Sequence, residues 1–336
     1  MPSRAHIASP RASAVDRGTH GAQLVEIQRA RLIAGAVCVI EELGYAQTTV
    51  GHITRRASVS RRTFCELFAN REDCLAAVME DLLGQISQEL AAANIDDLPW
   101  RERIRAGLWA ILSLFDREPA LARVCVVQAL RGGPRVLERR EEILRGLATV
   151  VDEGRSEGAR GGGCSQLTAE GVVGAAFAIV YARLLRGERK PLTGLLGELM
   201  GIVVLPYMGA AAARREQARR APASPKRAAG GRAAHEPAVG DPLEGVSMRL
   251  TYRTARVLEG VAEHPGASNR EVATCAGIQD PGQVSKLLRR LESLGLLANT
   301  GEGHAKGEPN AWGLTPKGRR IAQSIRVHGR GEREAA

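Results

Sequence analysis

Residues 48–69 read TTVGHITRRASVSRRTFCELFA, and this stretch decides the fold of the amino-terminal part of the chain. Its apolar residues recur at helical spacing in two short runs, which predict one helix over Val50–Ala57 and a second over Arg61–Phe68. Between the runs, Ser58–Ser60 predict a turn, and Thr49 stands where a hydroxyl caps the first helix. Two short helices joined by a tight turn are typical of a helix-turn-helix motif.

The polar surface of the second helix predicts a contact with double-stranded DNA. Once Phe64 and Phe68 are buried, the outward residues are short, basic or hydroxyl-bearing, which suits a helix that enters a major groove. Cations and hydroxyls at the ends of such a helix hold the phosphates. The residues that we assign to this contact are Thr49, Ser60, Arg61, Arg62, Thr63, Cys65 and Arg71. The alternative is a pair of small core helices whose charges are incidental.

The stretch from Thr48 to Asp73 resembles the helix-turn-helix and the start of the connecting helix of the tetracycline-repressor (TetR) family. The resemblance implies a three-helix DNA-binding domain, followed by a helical domain that binds an effector and forms a homodimer. Ser58 stands where the family usually has glycine, Cys65 where it usually has an aromatic residue, and Leu67 where it often has a polar one. The family's aromatic residue touches a backbone phosphate, so its absence weakens this contact or shifts it to the neighbouring arginines.

Charge and composition favour a helical protein with a polyanionic partner. The formal net charge is +10, although charge alone does not separate nucleic acid from a membrane surface. Aromatic residues are only 3% of the chain, so Leu, Val, Ile and Ala must fill the interior, and this choice favours helix. We see no run approaching about 18 apolar residues and no secretory h-region. The expectation is therefore a cytoplasmic protein with no membrane partner.

The reactive residue types show no pattern of an enzyme or a metalloprotein. The six cysteines are scattered, with no CxxC pair and no Cys/His cluster at zinc spacing, so neither disulfides nor a metal site are indicated. There is no Ser/His/Asp set, and the glycine-rich stretch at 158–163 follows no strand that would make it a phosphate loop. We therefore expect no catalytic residue, no metal and no cofactor.

The middle of the chain predicts further helices up to about residue 212, since no alternating strand pattern appears before residue 290. By resemblance, residues 70–212 are the effector-binding and dimerisation domain, and the helices at about 168–186 and 192–208 form a four-helix bundle with a partner. The bulkiest candidates for a ligand-pocket wall are Trp109, Phe115, Phe177 and Tyr181, although residues of this kind more often belong to an ordinary core. The small-molecule effector is not identified by the sequence; an apolar or amphipathic one is favoured.

The carboxy-terminal part predicts a second DNA-binding domain with a different fold. Residues 213–247 are rich in Ala, Pro, Arg and Gly, which predicts a flexible basic linker. Beyond it, Ser268 with Glu271 predicts a capping box, and Asp280-Pro281 predicts the start of a further helix. Two β-prone segments flanking a Gly-rich, charged loop complete the pattern of a winged helix over residues 248–327, which resembles that of MarR-like regulators.

The predicted winged helix carries its own set of candidate DNA contacts. The helix that begins at Pro281 keeps a basic, amide-bearing face clear of its leucine stripe, and the wing adds two basic residues. The residues in this set are Gln283, Ser285, Lys286, Arg289, Arg290, His304 and Lys306. Winged helices also bind proteins, so a protein partner is the alternative.

Together these patterns predict a mainly α chain that regulates transcription, typically as a repressor released from its operator by a small-molecule effector. The alternative is an interaction or architectural protein whose winged helix binds a protein and whose amino-terminal motif no longer reads DNA. The predicted segments are a disordered basic tail (1–21), the helix-turn-helix domain (22–69), the effector and dimerisation domain (70–212), the linker (213–247), the winged helix (248–327) and a tail (328–336).

Overall fold

The computed structural model describes residues 14–157, 164–165, 167–188, 190–220, 243, 248–301 and 310–327, and it confirms the predicted mainly helical chain. The elements are α1 (Ala14–Leu43), α2 (Val50–Ala57), α3 (Arg61–Leu67), α4 (Arg71–Ala92), α5 (Trp100–Arg117), α6 (Pro119–Val126), α7 (Pro134–Asp152), α8 (Gly154–Glu157), α9 (Leu167–Leu185), α10 (Leu196–Met208), α11 (Ala210–Ala218), α12 (Tyr252–Glu263), α13 (Asn269–Ala276), α14 (Pro281–Ser293), β1 (Leu297–Asn299), β2 (Trp312–Leu314) and α15 (Pro316–Val327). The chain divides into a larger unit, residues 32–56 and 64–240, and a smaller unit, residues 1–31, 57–63 and 241–336.

The larger unit is built around a core shared by five long helices. Helix α4 packs against α5 and α7, α7 packs against α9, and α10 packs against α5 and α9. Trp100 meets Tyr207 edge to face, with ring centroids 5.4 Å apart, and its indole Nε1 donates to the carbonyl of Val150 at 3.0 Å. A Cβ on Gly154 would lie 2.5 Å from the same indole, so glycine is required there. Trp100 thus ties the ends of three helices together.

Two boundaries differ from the sequence prediction. Helix α1 begins at Ala14, inside the predicted disordered tail, because extending an existing helix costs far less than starting one. Helix α11 covers Ala210–Ala218, so the predicted linker begins later than residue 213. Its sequence, AAAARREQA, consists of strong helix formers, and its Glu216 is buried.

Helix α9 has the 19-residue length that the sequence predicts, but its composition is more apolar than the sequence analysis recognised. By length and composition its 19 residues are sufficient to cross a bilayer, and 28% of its most apolar window is buried. Val172, Val173 and Val180 lie on its buried side, whereas Leu167 and Leu185 are exposed. The helix therefore has one apolar face inside the larger unit and a second apolar face that the described residues leave uncovered.

The smaller unit contains α12–α15 and a two-stranded antiparallel hairpin. Strand β1 pairs with β2 in the register Leu297↔Leu314 and Asn299↔Trp312. The predicted capping box at α13 is present in both directions, and Asp280 caps α14 by accepting from the backbone N–H of Gly282. The apolar faces of these elements pack together into one buried core. Its members include Val257, Leu258, Val272, Val284, Leu288, Leu291, Trp312, Ile321 and Ile325.

Candidate functional sites

The helix-turn-helix stretch forms the two helices that the sequence predicts, each with a side-chain cap at its start. The Thr49 Oγ1 accepts from the backbone N–H of His52 at 3.2 Å, at the start of α2. The Ser60 Oγ accepts from the backbone N–H of Thr63 at 3.0 Å, at the start of α3. Ile53 in α2 and Phe64 in α3 are almost completely buried. The hydroxyls of Thr49 and Ser60 therefore act as helix caps at the starts of α2 and α3.

The turn between α2 and α3 contains a strained residue. Ser58 has a φ of 51°, in the left-handed region that favours glycine. This is the position at which the TetR pattern usually has glycine. Ser58 adopts the turn that glycine would adopt there, but at an energetic cost, because its Cβ crowds the backbone in the left-handed region.

The exposed side of α3 is the predicted basic surface. Arg61, Arg62 and Cys65 are exposed, as is Thr49 ahead of α2, whereas Ser60 and Thr63 are half-buried. Two guanidinium groups therefore stand at the amino-terminal end of a capped helix, where backbone N–H groups also point outward. This combination suits phosphates and base edges.

Arg71, which the sequence analysis assigns to a phosphate contact, makes hydrogen bonds within the motif. Its Nη1 donates to the carbonyl of Thr48 at 2.5 Å and to that of Tyr45 at 3.2 Å. Its guanidinium carbon also lies 4.7 Å from the centre of the Tyr45 ring. Because these contacts use the guanidinium to hold the loop before α2, Arg71 acts mainly as a structural residue of the motif.

A cavity of about 470 Å³ lies within the larger unit, enclosed by α4, α5, α7, α9 and α10. Phe115 and Phe177 line it as predicted, whereas Trp109 and Tyr181 are not part of its wall. Trp109 and Tyr181 are half-buried at other positions on α5 and α9. Trp109 and Tyr181 were wrongly predicted to line the cavity, because a large side chain reaches it only from the helix face that points inward. Most of the wall is aliphatic and includes Met79, Leu82, Ile86, Ile104, Ile111, Leu144, Val173 and Val203.

The charged groups of the cavity wall differ in how they are neutralised. Arg103 and Glu153 form an ion pair with each other. Arg140 places its guanidinium carbon 4.4 Å from the centre of the Phe177 ring, and its buried Nε has no hydrogen-bond partner among the described residues. Burial lowers the pKa of Arg140 below its usual value. The sequence analysis missed Arg140, since an arginine in α7 looks like an ordinary surface residue.

Cys125 also reaches the cavity wall, and its thiol is inert by environment. Burial, with a smaller contribution from the charge of Asp81, raises its pKa to about 12. At neutral pH the group is therefore a neutral thiol, which acts as a small apolar side chain. Within the described part of the chain, no three His, Cys, Asp or Glu residues group as metal ligands would.

Helix α14 presents the predicted polar face in the smaller unit. Gln283, Lys286, Arg289 and Arg290 are exposed, and Ser285 is half-buried. The amide of Gln283 accepts from Arg253 at 2.9 Å. His304 and Lys306 lie outside the described residues.

A half-buried amide, that of Asn269, connects the hairpin to α14. The Oδ1 of Asn269 accepts from the Trp312 indole Nε1 at 2.6 Å and from the Asn310 side chain at 3.2 Å. The Nδ2 of Asn269 donates to the Ser285 hydroxyl at 3.2 Å. This network fixes the base of the hairpin relative to α13 and α14, and it explains why Ser285 is only partly available for DNA.

The family model described as "Bacterial regulatory proteins, tetR family" matches residues 32–78. These residues hold the end of α1, all of α2 and α3 and the start of α4, with the capped helices and exposed arginines described above. The amino-terminal segment is therefore similar to the DNA-binding domain of TetR-family regulators. This confirms the family resemblance that the helix-turn-helix carries.

Three curated relatives share part of the chain. A Bacillus subtilis protein named "Fatty acid metabolism regulator protein" is 26% identical over 132 residues, which are 39% of this chain and 68% of that protein. HbdR of an Aromatoleum species is 30% identical over 34% of this chain and 51% of its own length. BetI 2 of Chromohalobacter salexigens is 36% identical over 27% of this chain and 44% of its own length. The chain thus spans about half the length of the last two relatives.

Two solved structures also resemble the chain. FadR of Bacillus halodurans is 20% identical, with a TM-score of 0.48 over 53% of this chain and 94% of its own. FadR of Bacillus subtilis, solved in complex with stearoyl-CoA, is 23% identical, with a TM-score of 0.46 over 52% of this chain and 96% of its own. Two of the three curated relatives are named as HTH-type transcriptional regulators and the third as a regulator of fatty acid metabolism, which supports the predicted class of DNA-binding transcriptional regulator.

Proposed function

We propose that the protein is a cytoplasmic, homodimeric repressor that holds operator DNA through α3 and leaves it when an amphipathic acyl compound enters the cavity of the larger unit. The observation that carries the DNA contact is the pair of exposed arginines, Arg61 and Arg62, at the amino-terminal end of capped α3. A helix of this kind offers donors to guanine edges and phosphates in the major groove.

The dimer interface that we propose is the exposed apolar face of α9 with the adjoining face of α10. Its residues are apolar and mostly small, and they recur at helical spacing: Leu167, Gly171, Gly174, Ala175, Ala178 and Leu185 in α9, and Leu205 in α10. Small residues allow two helices to approach closely, and the large ones supply apolar area. A partner copy that covers this face accounts for the apolar character of α9 without a bilayer.

The effector class follows from the chemistry of the cavity. Its volume lies within the range of about 300–1,000 Å³ usual for ligand pockets, and its aliphatic wall favours an extended hydrocarbon chain. Arg140, stacked on Phe177, is the cation in this wall for which the described residues show no anionic partner. A fatty acyl compound supplies both a chain for the wall and a polar or anionic head for Arg140. A curated relative named for fatty acid metabolism fits the same class.

Release from DNA follows if the ligand favours a second arrangement of the dimer. The two copies of α3 must sit about one DNA turn apart to meet both half-sites. A ligand that binds better when this spacing is lost shifts the population away from the DNA-bound form, by as much as its affinities for the two forms differ.

The smaller unit adds a second DNA contact in this proposal. Its order of three helices, hairpin and closing helix is that of a winged helix, which supports the MarR-like resemblance. Lys286, Arg289 and Arg290 form an exposed cationic face on α14, the helix that enters the groove in such domains. The exposed cations favour DNA over a protein partner for this face.

The test is binding of the full chain to its own promoter DNA against a shuffled duplex, measured by fluorescence anisotropy over a range of salt concentrations. Arg62→Ala is expected to weaken specific binding about tenfold or more and to lower the salt dependence by about one counterion. Arg214→Ala, which removes the same charge from an exposed position on α11, is the matched control and is expected to bind like the unaltered protein. Equal loss in both variants would reject α3 as the reading element.

A further inference from the structure

The first half of α1 is part of the core of the carboxy-terminal module, which we define as the described residues from 243 to 327. Leu24, Ile27, Gln28 and Arg31 recur at i, i+3, i+4 and i+7, so they lie on one face of the helix. Ile27 is completely buried among the apolar residues of that module, and Leu24 packs against the same cluster. The face is therefore covered by a segment more than two hundred residues away in sequence.

Two side-chain hydrogen bonds fix the register of this contact. The Arg31 Nη1 donates to the carbonyl of Met248 at 2.9 Å, and the Gln28 Nε2 donates to the carbonyl of Leu250 at 3.2 Å. Met248 and Leu250 are both buried, whereas Arg249 between them is exposed. The segment thus turns alternate side chains into the core, while side chains of α1 donate to the carbonyls of Met248 and Leu250.

Arg31 makes this contact specific rather than merely apolar. Its side chain is 2% exposed, and a buried guanidinium is stable only where acceptors are supplied to it. The carbonyl of Met248 is such an acceptor, so displacing the module would break this buried hydrogen bond. The contact is therefore strongly biased toward one docked arrangement.

The smaller unit that contains this contact also contains residues 57–63. Arg61 and Arg62, at the start of α3, therefore belong to the same compact unit as α14 with Lys286, Arg289 and Arg290. We propose that these two cationic sets engage one continuous DNA site as a single docked body, held together through α1. This inference rests on the proposed DNA contacts of both sets.

The docked arrangement makes a prediction that differs from that of a module on a tether. A tethered module contributes through its effective concentration, which falls as the linker is lengthened. A module docked on α1 contributes the same amount at any linker length that permits docking. The length of the segment between Arg220 and Leu243 therefore separates the two arrangements without touching either DNA-contacting set or the core.

The experiment uses the full chain with about twenty Gly/Ser residues, containing a site-specific protease site, inserted between Gly230 and Gly231. We expect its operator affinity to stay within about twofold of the unaltered protein and its footprint to keep the same length. After cleavage, the two fragments are expected to remain together on gel filtration and to give the same footprint. Separation of the fragments, or a shorter footprint after insertion, would overturn the proposal.

Two further variants give the opposite outcome. Ile27→Asp, which places a charge in the docking core, is expected to shorten the footprint to that of the triple variant K286A/R289A/R290A. Arg31→Met is the milder companion, and we expect it to make the cleaved fragments separate while helical circular dichroism is retained. An unchanged footprint in Ile27→Asp, with the protein folded, contradicts the proposal.

These outcomes are distinct from failure of the proposed function. If Arg62→Ala and the α14 triple variant both leave promoter binding unchanged, the DNA contacts themselves are wrong. If those variants weaken binding but the inserted linker also shortens the footprint, the DNA contacts stand and only the docked arrangement is wrong.

Discussion

Arg105 in α5 donates from its Nη1 to the Oε2 of Glu216 in α11 at 3.0 Å, and both side chains are only 5% exposed. The Nη2 of Arg105 continues to the carbonyls of Arg219 and Arg220, each at 3.1 Å, where α11 ends. The buried Arg105 therefore neutralises the buried carboxylate, with the more exposed Arg101 3.7 Å from its other oxygen, and holds the two carbonyls that follow the helix. This pairing is the reason that α11 extends into a segment whose composition predicted a linker.

Replacing Glu216 with Ala is expected to destabilise the larger unit by about 3 kcal/mol, because it leaves the Arg105 charge buried without its carboxylate. The measurement is the denaturant unfolding of the full chain, followed by circular dichroism. Replacing both partners, as in R105M/E216L, is expected to recover most of the loss, since an apolar pair of similar volume avoids the desolvation cost.

The matched control is Glu141→Ala, which breaks the exposed i,i+4 pair with Arg145. Exposed helical pairs contribute about 0.3–0.5 kcal/mol, so its effect is expected to be several times smaller. A similar loss in Glu216→Ala and Glu141→Ala would show that the buried pair gains nothing from its location.

Ser58 provides a second stability prediction, because its φ of 51° is costly for a residue with a Cβ. Ser58→Gly is expected to stabilise the DNA-binding domain by about 1 kcal/mol, after the higher entropy of glycine in the unfolded chain has been subtracted. Thermal unfolding of the two proteins side by side measures the difference. Operator affinity is expected to stay unchanged, since no DNA-facing group is altered.

Asn94 is the internal control for this substitution. It has a φ of 46°, and asparagine tolerates the left-handed region better than other residues with a Cβ. Asn94→Gly is therefore expected to change stability by no more than a few tenths of a kcal/mol. A gain at Asn94 equal to that at Ser58 would show that backbone strain is not the cause.

Sequence patterns within one helical turn predicted the helices and their caps, but they did not predict contacts between residues far apart in the chain. The bounds of α2, the capping box at Ser268 and the Asp280 cap of α14 were predicted because each depends on residues within one helical turn. The docking of Arg31 on Met248 joins residues 217 apart in sequence, and no local pattern names a partner at that distance. The cavity shows the same limit, since bulky aromatic residues are conspicuous in a sequence whereas Arg140 is not.

Arg140 is expected to distinguish an acid from an alcohol. Arg140→Met keeps the apolar wall and removes the cation stacked on Phe177, so binding of palmitate is expected to weaken about tenfold or more. Hexadecanol, with the same chain and no charge, is expected to bind both proteins with similar affinity. Isothermal titration with the two probes measures the contrast.

Arg139 is the neighbouring control, because it forms ion pairs with Glu80 and Glu142 and is not part of the cavity wall. Arg139→Met is expected to leave palmitate binding unchanged. If palmitate loses no affinity in Arg140→Met, or if hexadecanol loses as much as palmitate, the arginine does not recognise the head group.

Glu271 gives the smaller unit a stability that depends on pH. Its carboxylate accepts hydrogen bonds from the backbone N–H and the hydroxyl of Ser268, and the backbone bond, then the hydroxyl, lowers its pKa below the usual value. A carboxyl with a lowered pKa in the folded state stabilises the fold above its unfolded pKa, about 4.3, and this stabilisation disappears as the pH falls through the folded pKa.

Glu271→Gln is therefore expected to be less stable than the unaltered protein at neutral pH, with the two converging at acid pH. Chemical unfolding of both proteins from pH 7 to pH 3, followed by tryptophan fluorescence, measures this convergence. A difference that stays constant over the whole range would show that the amide loses geometry rather than charge, and the electrostatic account of the cap would then be wrong.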